Sequence, residues 1–273
     1  MTSIGDKKIT HIYKGSELVA NDVSESKYIK IGDEPISFVY QGNELLYPNP
    51  AKDGLVLWYD FVGIYNNSVN KEITKDLSGH NIDGFLKNFT FSNGAGYSKD
   101  GLILDGVDDY IEVKNHESIS NITENITINF LFKYKENTGS YRRLVSNNSD
   151  ATASTGYGLA YNPSSNNPIS FRWGGEVTYY NTKPEKNNDY LYTFVISKEN
   201  SKILFFIDGK LVQENSFNGN PKKSDKNLFF GKSAYNNSEV LNGIIKSIQI
   251  YNRALSDQEI QHNYQLEKER WNL

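Results

Sequence analysis

The sequence contains no cysteine, a single methionine and only seven prolines among its 273 residues. Without thiols the chain can form neither a disulfide framework nor a cysteine-based metal site or nucleophile. No run of about 18 apolar residues occurs, so no transmembrane helix is predicted, and the first 30 residues lack the apolar segment of a signal peptide. Lys and Arg are scattered and the net charge is −4, which argues against a nucleic-acid partner.

Aromatic side chains are abundant, with 19 Tyr and 14 Phe, and this composition favours β-strands because flat rings pack well on pleated surfaces. The clearest strand is residues 125–135, NITINFLFKYK, where apolar and polar residues alternate strictly. Its apolar face is predicted to be core, whereas Thr127, Asn129 and Lys133 are predicted to face water. The length allows one large all-β domain and a small additional module.

Residues 242–264, NGIIKSIQIYNRALSDQEIQHNY, join a strand to a helix. Ile245, Ile248 and Ile250 have the spacing of a buried strand with one extra residue, which predicts a β-bulge. Ser256 followed by Glu259 is a capping box, because each side chain can satisfy a free amide at a helix start. The chain is therefore predicted to end with a last core strand and a short helix.

The first fifty residues contain an internal repeat of period 27. The segments ITHIYKGSELV from Ile9 and ISFVYQGNELL from Ile36 agree at five positions. Each copy predicts a β-hairpin that turns at Gly15 or Gly42. Two prolines then break the pattern in residues 47–54, YPNPAKDG, and a domain boundary is predicted there. Residues 1–50 would form a β-hairpin repeat module and residues 51–273 the main domain.

Several further segments match one family in the expected order. Together they resemble laminin-G-like domains of the concanavalin-A-like lectin/glucanase superfamily over roughly residues 53–264. The resemblance implies an all-β, two-sheet antiparallel jelly-roll sandwich, followed by the short C-terminal helix. The matching segments are 54–61 (GLVLWYDF), 76–84 (DLSGHNIDG), the hairpin-like 101–113 (GLILDGVDDYIEV), the hairpin 203–212 (ILFFIDGKLV), 228–232 (LFFGK) and 242–264.

The N-terminal repeat resembles a short module at the start of phage tail and baseplate proteins from Gram-positive hosts. That resemblance implies a virion location and attachment to other tail subunits through residues 1–50. Trimers are common in such assemblies, so a homotrimer is one expectation. No coiled-coil heptads are present to enforce a trimer. The alternative is a β-arm that packs on the main domain of a free protein.

No catalytic motif is apparent in the sequence. Glucanases of the superfamily carry E-x-D-x-E or a close variant on one strand, which places two carboxylates on one face, and no such strand occurs here. The four histidines are isolated, and neither a Gly-x-Ser-x-Gly elbow nor a Walker loop is present. A non-enzymatic protein is therefore expected, and a glycoside hydrolase of unrecognised type is kept as an alternative.

The family resemblance also implies a calcium ion. Asp76 and Asp105 lie in the matching motifs and carry the oxygen ligands that this hard cation prefers. Both would serve equally well as caps of tight turns. Turn chemistry also accounts for the acidic residues in 105–109, DGVDD.

A ligand-binding surface is predicted in the loops and strands between residues 137 and 188. Sugar recognition needs flat rings for stacking and polar groups for hydroxyls. By alternation Trp173 shares a face with Phe171, so a core tryptophan is an equal alternative, and Tyr179 and Tyr180 must face opposite sides. The candidate residues are Tyr141, Arg142, Arg143, Tyr157, Arg172, Trp173, Glu176, Tyr179 and Tyr180.

These observations predict a non-enzymatic phage virion protein that recognises a glycan or protein on the bacterial surface. Two alternatives stay open. In one the sandwich makes only structural contacts with other virion subunits, and in the other it is a glycoside hydrolase.

Overall fold

The computed structural model describes residues 38–41, 44–62, 71–92, 94–135, 141–236 and 239–273, together with the backbone of short strands before residue 36. The N-terminal strands are β1 (Ser3–Ile4), β2 (Lys7–Lys8), β3 (His11–Lys14), β4 (Glu17–Asn21), β5 (Lys30–Ile31), β6 (Glu34–Pro35), β7 (Val39–Gln41) and β8 (Glu44–Tyr47).

The strands that follow build the main domain, and a short helix α1 (Glu117–Ser120) and a long helix α2 (Asp257–Trp271) accompany them. These strands are β9 (Leu55–Asp60), β10 (Ile73–Thr74), β11 (Gly84–Lys87), β12 (Gly96–Ser98), β13 (Gly101–Asp105), β14 (Tyr110–Val113), β15 (Asn125–Tyr134), β16 (Arg142–Ser146), β17 (Tyr157–Tyr161), β18 (Ile169–Trp173), β19 (Glu176–Tyr180), β20 (Asp189–Ser197), β21 (Lys202–Ile207), β22 (Lys210–Ser216), β23 (Leu228–Phe230) and β24 (Asn242–Tyr251).

Two antiparallel sheets form a sandwich. Sheet I has the strand order β10-β11-β14-β23-β16-β17-β18-β19. Sheet II has the order β12-β13-β24-β15-β20-β21-β22, and β9 also pairs with β24. The predicted all-β jelly-roll sandwich with a C-terminal helix is thereby confirmed.

The core between the sheets is rich in aromatic rings. Phe194 and Phe205 stack on neighbouring strands with ring centroids 4.5 Å apart, and Tyr192 meets Phe205 edge-on. The apolar face of β15 is wholly buried in this core, as its alternation predicts. The residues of that face are Ile126, Ile128, Phe130, Phe132 and Tyr134.

Strand β24 lies at the centre of sheet II. Its first half pairs with β13 and its second half with β9, while β15 pairs along its other edge. The register against β15 skips one residue between Ile245 and Ser247, which is the predicted β-bulge. Ile245, Ile248 and Ile250 are all fully buried.

Helix α2 covers the outer face of sheet II. Ser256 and Glu259 form the predicted capping box at its start. Because this helix and the turn before it lie on the sheet, the prediction that Thr127 and Asn129 face water is wrong. The Thr127 hydroxyl donates to the Arg253 carbonyl at 2.8 Å, and the Asn129 amide donates to Gln249 at 2.9 Å.

One further strand prediction needs correction. Residues 101–113 do not form a hairpin, because β13 belongs to sheet II and β14 to sheet I. In β9 an irregularity in the register against β24 turns Leu55 towards Trp58 and Tyr251. The hairpin of residues 203–212 is confirmed, with Asp208 and Gly209 at φ of 51° and 72° in its turn.

The N-terminal strands repeat with a period of 27 in their pairing as well as in their sequence. Tyr13 pairs with Leu18 in β3–β4, and Tyr40 pairs with Leu45 in β7–β8. The hairpins β1–β2 and β5–β6 are related by the same shift, so each copy contains two hairpins and begins at an Ile-Gly-Asp triplet. The predicted turn residues 15–16 and 42–43 lie outside the described residues.

The segment that links the repeats to the sandwich packs on α2. The Ala51 amide donates to Asn263 Oδ1 at 2.9 Å, and His262 Nε2 lies 2.7 Å from the Asn49 carbonyl. Tyr47 is buried here. In the described part of the chain no helix is long and apolar enough to cross a membrane.

Candidate functional site

The outer face of sheet I carries a row of side chains fixed by the strand register. The row begins with large residues on β11, β14 and β23, passes over small residues on β16 and β17, and ends with large residues on β18 and β19. Its members pair in the order Phe85, Glu112, Phe229, Ser146, Gly158, Arg172 and Val177.

Two arginines lie on the small-residue part of this face. Arg143 on β16 pairs with Ala160, and Arg172 on β18 pairs with Gly158, so both side chains flank β17. A Cβ atom added to Gly158 would lie 3.4 Å from Arg143 Nη1. The absence of a side chain there leaves the room in which the Arg143 guanidinium lies against the sheet. The two arginines are 1% and 5% exposed.

Each guanidinium has its own polar and aromatic partners. Arg143 Nε pairs with Glu239, and Arg143 Nη2 donates to the Tyr235 hydroxyl at 3.3 Å. The Tyr235 ring centroid is 5.4 Å from the Arg143 guanidinium.

Arg172 lies under a different ring. Arg172 Nη1 donates to the Ser170 hydroxyl at 2.8 Å, and the Tyr141 ring centroid is 5.1 Å from its guanidinium. Burial lowers the pKa of Arg172, and the positive charge of Arg143 lowers it further.

Tyr179 lies beside these arginines at the sheet edge, whereas the half-buried Glu176 pairs with the core residue Trp173. Tyr179 pairs with Ser170 and is 46% exposed. Glu176, at the start of the same strand, accepts a hydrogen bond from the Asn218 amide at 2.9 Å. We refer to Tyr141, Arg143, Arg172, Tyr179, Tyr235 and Glu239 as the arginine cluster.

Three of the predicted ligand-binding rings lie elsewhere. Tyr157, Trp173 and Tyr180 are buried in the core and face sheet II, because alternation along their strands turns them inward. Trp173 stacks on Phe217 at 5.6 Å, so it offers no platform for a sugar. The expectation that one of Tyr179 and Tyr180 is exposed is confirmed by Tyr179.

The structure brings together Tyr141, Arg143 and Arg172 from the predicted set, with Tyr179 beside them. Arg142, at the first position of β16, is half-buried. Tyr235 and Glu239 were missed because they belong to the segment between β23 and β24, which has no strand or helix periodicity. Their only sequence signal is a tyrosine and an acidic residue within a polar stretch, SAYNNSEV.

The predicted metal ligand Asp76 is fully used by its own turn. Asp76 Oδ1 accepts from the Trp58 and Ser78 amides at 3.0 and 2.9 Å. Its Oδ2 accepts from the Ser78 hydroxyl at 2.8 Å and the Ile82 amide at 3.1 Å. A carboxylate that accepts two hydrogen bonds on each oxygen has no lone pair left for a cation, so Asp76 is a turn cap.

Asp105 lies in a cluster of three carboxylates with Asp108 and Asp109. One ligand oxygen from each lies within 4.8 Å of the others, and Asp109 Oδ1 is buried without a hydrogen-bond partner. Burial, together with the negative charges of Asp105 and Asp108, raises the pKa of Asp109 to about 6. This set of oxygen donors fits a hard cation such as calcium.

Sequence comparison assigns the fold to a family. A laminin-G-type sequence model matches residues 105–261, which is more than half of the chain. The chain belongs to the concanavalin A-like lectin/glucanases superfamily. No functionally curated protein matches it in sequence.

Solved structures with the superfamily's sandwich align with most of this chain. The receptor-binding domain of botulinum neurotoxin C/D mosaic serotype aligns with a TM-score of 0.60 and 20% identity, over 78% of this chain and 51% of that one. Trypanosoma rangeli sialidase aligns with a TM-score of 0.56 and 16% identity, over 79% of this chain and 33% of that one. The chain therefore spans about half of the first protein and a third of the second, and the likeness shows the fold.

The arginine cluster and the acidic cluster, which consists of Asp105, Asp108 and Asp109, lie in different parts of the sandwich. The arginine cluster lies on the outer face of sheet I, while Asp105 and Asp109 flank the crossing from β13 in sheet II to β14 in sheet I.

Proposed function

We propose that this protein is a non-enzymatic carbohydrate-recognition protein of a phage particle or phage-like device, and that the arginine cluster binds a glycan on the bacterial surface. The observation that supports glycan binding is the combination of aromatic rings, guanidinium groups and a carboxylate on one outer face. A pyranose presents an apolar face to rings and hydroxyls to polar groups, and this surface offers both. Among proteins of the same fold, one is named as a receptor-binding domain and another is in complex with sialic acid.

Tyr179 is the ring best placed for stacking. It is the most exposed of the three tyrosines in the cluster, and its backbone is fixed by pairing with Ser170 on one side and by Gln213, which donates to its carbonyl at 3.1 Å, on the other. Because this backbone is already fixed, it loses little conformational entropy when a sugar binds to the ring.

A glycan array and a host-cell pull-down with the whole chain test the proposal. We expect saturable binding that Tyr179→Ala weakens about 5- to 150-fold, since an alanine substitution at a stacking ring removes roughly 1–3 kcal/mol. The matched control is Tyr264→Ala, because Tyr264 is a half-buried tyrosine on α2, on the opposite side of the sandwich. The absence of any bound glycan, or an equal loss in both variants, would contradict the proposal.

The virion location is proposed on the strength of the N-terminal repeats. Two copies of a double hairpin bury little surface alone, because isolated hairpins are marginal in water. Such hairpins gain stability by packing on another protein, and tail or baseplate subunits are the partners we propose, with a homotrimer as the assembly.

A purely structural virion protein is a second candidate, favoured by one observation. Strand β22 is an edge of sheet II, and its residues Leu211 and Val212 are 51% and 44% exposed. Edge strands with apolar residues are ready partners for another chain. Under this alternative, Leu211→Lys with Val212→Lys would block assembly into particles, and no glycan would bind.

We also propose that the chain has no glycosidase activity. The three carboxylates of the acidic cluster lie within 4.8 Å of one another, and two of them accept from the chain's own amides: Asp105 Oδ1 from Val107 at 2.8 Å and Asp109 Oδ2 from Asp105 at 3.0 Å. Turn geometry of this kind accounts for the cluster without catalysis. Release of reducing sugar from host-wall material would overturn this.

Calcium is proposed as a ligand of the acidic cluster. Asp105, Asp108 and Asp109 would hold the ion, and the buried Asp109 Oδ1 has no other partner among the described residues. The ion would supply structural charge neutralisation for three neighbouring carboxylates.

A further inference from the structure

The arginine cluster contains more positive than negative charge. The positive charge of Arg143 lowers the pKa of Arg172, and both guanidinium groups are nearly inaccessible to water. Glu239 is the carboxylate that pairs with Arg143, and its charge also acts on Arg172. Two buried guanidinium groups therefore share one carboxylate within the described residues, which leaves an excess of one positive charge.

The hydrogen-bonding capacity of these groups is also unfilled. Arg143 Nη1 is buried and has no acceptor. Ser170 Oγ is the one acceptor that the described residues offer to the side chain of Arg172, although a guanidinium has five N–H donors. Leaving donors of a buried charged group unpaired is costly, so such donors in native proteins point to a missing acceptor.

The surroundings limit what that acceptor can be. Gly158, Ala160 and Ser170 form a floor of small residues between the arginines, and the rings of Tyr141 and Tyr235 lie over the guanidinium groups as half-buried walls. A compact oxyanion accepts parallel hydrogen bonds from two guanidinium nitrogens and also neutralises the excess positive charge, whereas a hydroxyl carries no charge.

We propose that the site between Arg143 and Arg172 binds the oxyanion of an acidic glycan, a carboxylate or a phosphate group. This inference rests on the proposed glycan-binding function. The aromatic rings contact the sugar, and the two arginines select glycans that carry a negative charge.

The test is titration of the whole chain with sodium glucuronate, glycerol 3-phosphate and neutral N-acetylglucosamine, followed by NMR of the arginine side chains. We expect saturable shifts of the Arg143 and Arg172 Nε–H signals with at least one anion and none with the neutral sugar. The glucuronate and phosphate arms tell which oxyanion is bound.

Two variants are expected to change the affinity for anions in opposite directions. Arg172→Met should weaken anion binding at least tenfold, whereas Glu239→Gln should strengthen it because it removes the competing carboxylate. The control Lys210→Met removes a charge from the exposed turn of the β21–β22 hairpin and should change nothing. Thermal unfolding of each variant shows that it is folded.

Two results would overturn the inference. One is the absence of saturable anion binding to the intact chain, and the other is equal anion affinity in the intact chain and a folded Arg172→Met variant. If neutral glycans bind on the array but anions do not, this inference fails and the proposed function stands. If anions bind but no glycan does, the proposed function fails and the anion site stands.

Discussion

At the scale of single residues, side chains that are neighbours in the sequence lie on opposite faces of sheet I and differ in their surroundings. Arg172 and Trp173 are neighbours, yet Arg172 lies on the outer face of sheet I and Trp173 in the core. Alternation placed Phe171 and Trp173 on one face but left open whether that face lies in the core. It could not predict that Tyr235 and Glu239 reach the same site, because they come from an irregular segment whose path depends on the whole fold.

Asp109 gives a prediction at this scale. Its pKa of about 6 in the folded protein exceeds the ordinary value of an aspartate, so the folded state binds the proton more tightly than the unfolded state. The free energy of unfolding should therefore fall as the pH rises from about 4 to about 6. Asp109→Asn cannot ionise and should be more stable than the natural chain above pH 6, by roughly 1–3 kcal/mol in chemical unfolding at pH 7.5.

The same variant tests calcium. If the acidic cluster holds the ion, calcium chloride should raise the melting temperature of the natural chain at pH 7.5 and leave Asp109→Asn unchanged. Asp100→Asn is the control, because Asp100 is an exposed acid in the turn between β12 and β13. A melting temperature that changes with neither calcium nor chelator would contradict calcium binding by the acidic cluster. An Asp109→Asn variant less stable than the natural chain at pH 7.5 would contradict the predicted pH dependence.

At the scale of elements, local signals were the reliable ones. The bulge in β24 follows from the spacing of Ile245 and Ile248, and the start of α2 follows from the capping box at Ser256. The sequence did not predict which element packs on each face of a strand, because that packing depends on contacts between residues distant in sequence. Thr127 and Asn129 have the pattern of exposed residues and are buried only because α2 folds back over them.

The docking of α2 gives a second prediction. Arg270 on this helix pairs with the buried Asp60 of β9 and lies 3.4 Å from Glu267. Arg270→Met should lower the free energy of unfolding by about 3–5 kcal/mol at pH 7.5, because two buried carboxylates lose their counter-charge. Burial raises the pKa of Glu267 to about 7, so the loss should be smaller at pH 5, where Glu267 is protonated.

The measurement for Arg270 is chemical unfolding at both pH values. Lys268→Met is the matched control, since Lys268 is an exposed cation on the same helix. An Arg270→Met variant within about 1 kcal/mol of the natural chain at pH 7.5 would show that the charge pairs do not hold the helix in place.

At the scale of the whole molecule, the fold was predictable from motifs in order, although no single motif identifies it. The sandwich of sheets I and II and the terminal helix agree with that prediction. The N-terminal repeat was predicted from five identical positions, and the strand pairing extends it to a second hairpin in each copy. The binding partner of these hairpins stays a prediction, because the strand pairing within a hairpin does not identify the surface on which it packs.

Deletion of residues 1–46 tests the attachment role. The truncation keeps Tyr47, Asn49 and Ala51, which pack on or beside α2, so the sandwich should unfold at nearly the same temperature as in the full chain. We expect the truncated protein to bind glycan but to be absent from particles assembled in its presence, as judged by immunoblotting of purified virions. Full incorporation of the truncated protein would contradict the attachment role.

We propose that the outer face of sheet I binds a glycan through the arginine cluster. The most direct test is backbone-amide NMR of the intact protein titrated with a glycan selected on the array. We expect the largest shift changes on β16–β19 and on the segment around Tyr235, and we expect them to be lost in Tyr179→Ala. Shift changes confined to α2 and the outer face of sheet II would contradict it.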